Sequence, residues 1–164
     1  MHTSIIVPGG AGVLDPERIP RCREGVAIAA RAGFAILDGA GGGTALDAVE
    51  AAVRVLEDDG EFNAGYGAVL NRARVIEVDA AIMDGALRAG AVAAVPWMRH
   101  PITLARRVLE EGAHILLVGD GAIEFAREHG IGMEMPHSMI TPRSRARWEN
   151  ERAGRARPSA TGDT

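Results

Sequence analysis

The sequence predicts a layered α/β domain in which helices cover a central pair of strands. Three observations carry that reading. Residues 44–59, TALDAVEAAVRVLEDD, repeat apolar residues at helical spacing. Val75 to Met83 is apolar with partial alternation and runs into Asp84-Gly85, a strong hairpin signal, after which Ala86 to Val95 returns as a partner strand. Further helical segments lie on both sides of that hairpin, which favours a sheet covered by helices.

In order along the chain, Ser4 to Val7 reads as a short strand entering the turn Pro8-Gly9-Gly10-Ala11-Gly12. The turn is not a dinucleotide fingerprint, because the spacing is wrong. It is not a P-loop, because no Lys-Ser/Thr pair follows. Ile19 to Leu37 is helical in pattern, with Val26, Ala29, Ala30, Gly33 and Ile36/Leu37 in register. Thr44 is a suitable N-cap with Asp47 as its acidic partner. The helix that follows is expected to turn Leu46, Val49, Ala52/Val53 and Leu56 to one face. It leads into Glu57–Asn71, where Gly60, Gly65 and Gly67 let the backbone turn sharply and let other groups approach. Val69 to Leu70 and Val75 to Met83 read as strands. Pro101 suits the first turn of a helix to Glu110. Ile115 to Val118 reads as a buried strand, and a short helix then runs to about Glu128.

Composition narrows the function. The 164 residues suffice for one domain with a core. A net charge of −4 implies no general affinity for nucleic acid. All 18 basic residues are Arg, which excludes Schiff-base chemistry on lysine within this chain. The lone Cys22 excludes an intramolecular disulfide, and its place in a helix predicts a buried thiol. No apolar run reaches the roughly 18 residues of a membrane span, and the start lacks a signal-peptide pattern. A cytoplasmic protein is expected. From residue 143 onward, six Arg stand against three acids, while the remainder carries twelve Arg and nineteen acids. The division read from this is a domain over 1–142 and an Arg-rich mobile linker, in part a solvated helix, over 143–164.

No complete active site is visible. The five His residues lack metal-ligand spacing. No Gly-x-Ser-x-Gly elbow occurs. Asp79 reads as a buried acid with a partner and Asp84 as a turn support. The chain is therefore either a non-catalytic binding or assembly module, or half of an enzyme.

Several stretches point to the second alternative when taken together. They are Pro8–Gly12, the helix from Thr44, Phe62-Asn63-Ala64-Gly65-Tyr66-Gly67-Ala68, Asp79–Gly85, Ala89-Gly90-Ala91-Val92, Pro101-Ile102 with Leu104-Ala105-Arg106, and Leu117-Val118-Gly119-Asp120-Gly121. In this order they resemble the α subunit of plant-type L-asparaginases, also called isoaspartyl or β-aspartyl peptidases. The resemblance covers about residues 4–131 and implies an αββα sandwich of the N-terminal-nucleophile hydrolase type. It also implies a precursor that cuts itself before a Thr. The Thr hydroxyl then becomes the nucleophile and its freed amine the base.

By that resemblance Thr164 is the nucleophile and Asp163–Thr164 the scissile junction. Junctions in this family are usually Gly-Thr, whereas Asp-Thr is the mark of the related glycosylasparaginases, which form the rival enzyme reading. In an uncut chain the Thr164 amine is held in a peptide bond, so residues 1–164 alone are expected to be inactive. Asn63 matches the family Asn beside the nucleophile. The carbonyls of Leu56, Glu57, Asp59, Phe62, Ala64 and Tyr66 match a structural Na+ loop, and no organic cofactor is implied. The implied partners are a β subunit from the same precursor, an (αβ)2 assembly, and the substrates L-asparagine and β-aspartyl dipeptides. The substrate clamp and oxyanion hole belong to the β subunit. Two departures stand out: Pro8 replaces the usual His, and Asp59-Gly60-Glu61 alters the cation loop.

Overall fold

Helices fill the first third of the chain and the sheet its middle, in a computed structural model that describes residues 3–39 and 42–154. After a 3-10 turn at Pro16–Arg18 come α1 (Ile19–Asp38) and α2 (Ala45–Asp58). The start of α2 is a full capping box. The Asp47 amide donates to Thr44 Oγ1 at 3.2 Å, and the Thr44 amide donates to Asp47 Oδ2 at 2.7 Å. These Thr44 bonds, with Arg106 alongside, hold the Asp47 carboxyl down at about 2. Apart from Glu57, the buried positions of the two helices are small: Cys22, Gly25, Ala29 and Gly33 on α1, Ala48 and Ala52 on α2, with Gly33 directly against Ala48 and Ala52. The thiol of Cys22 is buried, as its helical position predicts.

β1 (Glu77–Met83) pairs antiparallel with β2 (Ala89–Pro96), and β3 (Leu116–Val118) adds parallel to β2, giving the order β1-β2-β3. A parallel neighbour needs a crossover, and α3 (Pro101–Glu111) supplies it. The hairpin turn is held by Asp84. Its Oδ1 accepts the amides of Ala86 and Arg88, and its Oδ2 pairs with Arg88 at 2.7 Å. Asp79 has the partner expected of it, but on an exposed site. At a break in register between Val78 and Ala80, its Oδ1 accepts the Ala94 amide at 2.7 Å.

The core lies between one face of the sheet and α3. Val78 and Ile82 of β1 and Val92 and Val95 of β2 meet Ile102, Leu104, Ala105, Val108 and Leu109. Ala122 and Ala126 of α4 (Asp120–Glu128) and Met139 of α5 (Pro136–Met139) close its side. Glu77, Asp79, Ala81 and Met83, on the other face of β1, are exposed. α6 (Pro142–Arg152) returns over the loop after α2. Its Trp148 Nε1 donates to the Asn71 carbonyl, with Arg74 and Arg152 over the indole ring. Among the described residues no helix is long and apolar enough to cross a membrane.

Four expectations need correction. Ser4–Val7 makes no ladder; Ile6 is 90% exposed, and no described edge pairs with it. Val69–Leu70 is reduced to one bridge, Leu70 to Ile76, because Asn71 Oδ1 takes the amides of Ala73 and Val75 and turns the chain at once. β3 is short and open rather than buried: it is the sheet edge, and Ile115, Leu116 and Val118 are more than half exposed. Val49 and Ile36 also face outward, because the α1–α2 contact runs through the small residues instead.

Gly90 marks the closest approach of β2 to α3. A Cβ there would collide with the Ala105 carbonyl and the Leu109 amide, both backbone. Gly90→Ala should therefore lower stability by about 2–3 kcal/mol in urea unfolding. Gly85→Ala, at a turn with open space around it, should change it by less than about 0.5 kcal/mol.

Candidate active-site loop

The end of α2 is tied to the start of α3 by one side chain. Glu57 is buried, and its Oε1 accepts the Ile102 amide at 3.1 Å. That amide is a first-turn donor of α3 with no partner inside the helix. The N-cap of α3, His100, makes no side-chain cap of its own, so Glu57 serves as the cap from another element. Its Oε2 lies 3.4 Å from His100 Nδ1, and both atoms are shielded from solvent without a hydrogen-bond partner. Burial pushes the Glu57 carboxyl up to about 8, opposed by the Ile102 amide. Burial also pulls His100 below its usual range, against the pull of Asp58.

The loop beyond is held from several sides. Arg99 pairs with Asp58 at 2.7 Å and Arg21 with Asp59 at 2.7 Å. Arg18 pairs with Glu61 at 2.9 Å and also donates to its carbonyl. Arg143 Nε donates to the Gly60 carbonyl at 3.0 Å. Phe62 is buried with its ring against Gly25 and Gly9.

Inside this frame the backbone folds on itself. The carbonyls of Leu56, Asp59 and Ala64 accept the amides of Asp59, Phe62 and Gly67 respectively. The bare side of Gly67 faces the carbonyls of Phe62 and Asp59. That of Gly65 (φ +46°) faces those of Glu57 and Arg99. A Cβ at either position would collide with carbonyl oxygen, so the glycines are what let these oxygens converge. A carbonyl with one amide donor retains a second lone pair, and such oxygens suit a hard cation. Of the six carbonyls singled out in the sequence, Glu57, Asp59 and Phe62 thus crowd the two glycines. Leu56 and Ala64 brace the turns around them. Tyr66 lies in the 3-10 turn Gly65–Gly67, its ring beneath Arg99. Among the described residues no His/Cys/Asp/Glu cluster could hold a metal.

Asn63 is exposed on this loop. Its Oδ1 accepts the Val69 amide at 2.9 Å, which fixes the side chain. It lines two clefts. One, of about 480 Å³, also involves Gly9–Gly12, Arg18, Phe62, Arg143 and Arg147. The other, of about 300 Å³, also involves Glu57, Gly65, Glu77 and Asp79. Asp163 and Thr164 lie outside the described residues.

Two features escaped the sequence reading. The Glu57 side chain was passed over for its carbonyl, although an acid beside Val53 and Leu56 on an apolar helix was a signal of a buried partner. Arg143 belongs to the run expected to be solvated, yet it is half-buried and lines the cleft that holds Asn63; Arg147, exposed as expected, lines it too.

The family model described as asparaginase matches residues 1–164. The chain belongs to that asparaginase family. It is 48% identical over 149 residues to the isoaspartyl peptidase/L-asparaginase of Mus musculus, covering 90% of this chain and 45% of that protein. It is 45% identical over 149 residues to the human protein of the same name, covering 90% and 48%. It is 48% identical over 151 residues to the plant-type L-asparaginase of Pyrococcus furiosus, covering 91% and 47%. The chain thus spans about half the length of these relatives.

The raised pKa of Glu57 gives a pH test. Its folded value, about 8, lies above its ordinary 4.5. Unfolding therefore releases a proton between those values, and the stability this group contributes at low pH is lost as pH rises through that window. Glu57→Gln keeps an acceptor for Ile102 and does not titrate. Urea midpoints should show the unmodified protein losing ground to the variant from about pH 5 to pH 8, with no further divergence above pH 9.

Proposed function

We propose that this chain is the α-subunit portion of an isoaspartyl peptidase/L-asparaginase. The enzyme hydrolyses β-aspartyl peptide bonds and the side-chain amide of L-asparagine. The observation that carries the reading is the identity of 45–48% to proteins with these names across nine-tenths of the chain. The one-sided sheet supports it: the face bearing Glu77, Asp79, Ala81 and Met83 is uncovered, and the edge strand β3 is open. A second sheet from a β subunit would cover the open face, giving an αββα sandwich, with two αβ units forming (αβ)2.

In this reading the Asp163–Thr164 bond is cut by the precursor itself, and Thr164 becomes the first residue of the β subunit. Its freed amine takes the hydroxyl proton, and the hydroxyl oxygen attacks the substrate's side-chain carbonyl. The C–N bond breaks, and ammonia or an amino acid leaves with a proton. Water then cleaves the β-aspartyl ester and regenerates Thr164. Asn63, already oriented through Val69, offers its amide group to charge developing beside the nucleophile. The carbonyls of Leu56, Glu57, Asp59, Phe62, Ala64 and Tyr66 would hold Na+, whose role is to rigidify the loop that carries Asn63. A cytoplasmic location accords with the single unpaired cysteine.

In the complete gene product, Thr164→Ala should leave one uncut band on a denaturing gel. It should also lower aspartate release from β-aspartyl-leucine at least about a thousandfold. Normal turnover by that variant would sink the assignment. For the cation, replacing NaCl by choline chloride should lower the melting temperature by about 5 °C. Gly67→Ala, which fills the space facing the carbonyls, should abolish that response to Na+.

A further inference from the structure

Arg143 stands apart from the other arginines around the 480 Å³ cleft. Arg18 is paired with Glu61 and Arg147 with Glu151. Arg143 spends its Nε on the Gly60 carbonyl, and no carboxylate among the described residues lies within ion-pair distance of it. It is half-buried. Burial, together with the like charges of Arg18 and Arg147, disfavours its charged form. A half-buried guanidinium without a counter-ion is costly unless an anion joins it. The cleft wall supplies three arginines against one acid, Glu61. The same cleft is lined by Gly9, Gly10, Ala11 and Gly12, whose amides donate to no described acceptor.

We infer that this cleft receives the free α-carboxylate of the leaving amino acid of a β-aspartyl dipeptide, with Arg143 as its principal partner. The inference rests on the proposed function, because Asn63, which lines the same cleft, then marks the scissile amide. In a β-aspartyl dipeptide that carboxylate is joined to the scissile nitrogen through one carbon, so it lies close to whatever group faces the amide. L-Asparagine releases ammonia and has no such carboxylate. Val13 and Leu14, exposed at the mouth of the cleft, offer apolar surface to the leaving residue's side chain. The cleft is therefore a specificity element that favours dipeptides with a free C-terminus.

The test needs no variant at first. In the complete processed enzyme, β-aspartyl-leucine should show a KM about tenfold lower than β-aspartyl-leucine amide, the size expected for a charge-assisted hydrogen bond. Arg143→Gln should erase that difference by raising KM for the acid alone. Any loss on L-asparagine, through the loop contact at Gly60, should be smaller than the loss on the acid. Equal KM values for acid and amide in the unmodified enzyme would overturn the inference, as would an equal loss on asparagine and dipeptide. Accumulation of uncut precursor by Arg143→Gln would overturn it too, by assigning the arginine to the chain's own junction. Failure of the unmodified enzyme to cleave any of the three substrates would instead overturn the proposed function.

Discussion

A buried carboxyl group at the end of α2 is the joint of this molecule. Glu57 closes the open N-terminus of α3 through the Ile102 amide, and the loop that begins at Asp59 follows directly on the same turn of helix. Helix starts leave amides unpaired, and leaving one buried is expensive. Pro101 removes one of those donors and Glu57 takes another. The position of α3 on the sheet and the position of the loop are consequently one constraint. Displacing the loop would uncap a helix whose buried face is the centre of the core.

From that joint outward the loop is stiffened by two kinds of contact. Arg18, Arg21, Arg99 and Arg143 hold its acids and carbonyls from the outside. The bare α-carbons of Gly65 and Gly67 let carbonyl oxygens converge on the inside. Surface ion pairs contribute little singly, but here three, joined by the Arg143 hydrogen bond, converge on a segment of few residues. The result is an exposed Asn63 whose amide is oriented by the backbone beside a cleft. Fixed orientation before substrate arrives is what a group stabilising developing charge requires. The fold, with its small one-sided sheet, delivers that residue to the surface of the loop, beside two clefts.

Much of this was legible along the chain. The capping box at Thr44 and Asp47, the Asp84 turn and the Pro101 start are local features, formed by residues a few positions apart, and each appears as read. So does the crowded glycine loop, because only glycine tolerates such approach. What local pattern missed was any property set by a distant partner. Ser4–Val7 is apolar enough for a strand but has no described edge to pair with. Ile115–Val118 reads as buried because it is apolar, yet burial belongs to sheet order, which put it at an edge.

By itself, then, the amino-acid sequence determined where helices start, where the chain turns and which backbone positions had to be bare. Those depend on intrinsic preferences and on neighbours within one turn. Only the tertiary structure decided that Glu57 caps a helix 45 residues away and that Phe62 packs on the glycines of two other segments. It also decided that Arg143 faces the Asn63 cleft instead of solvent. These are pairings across long loops, and their partners are chosen by which surfaces the helices and sheet bring together, information no short window of residues contains.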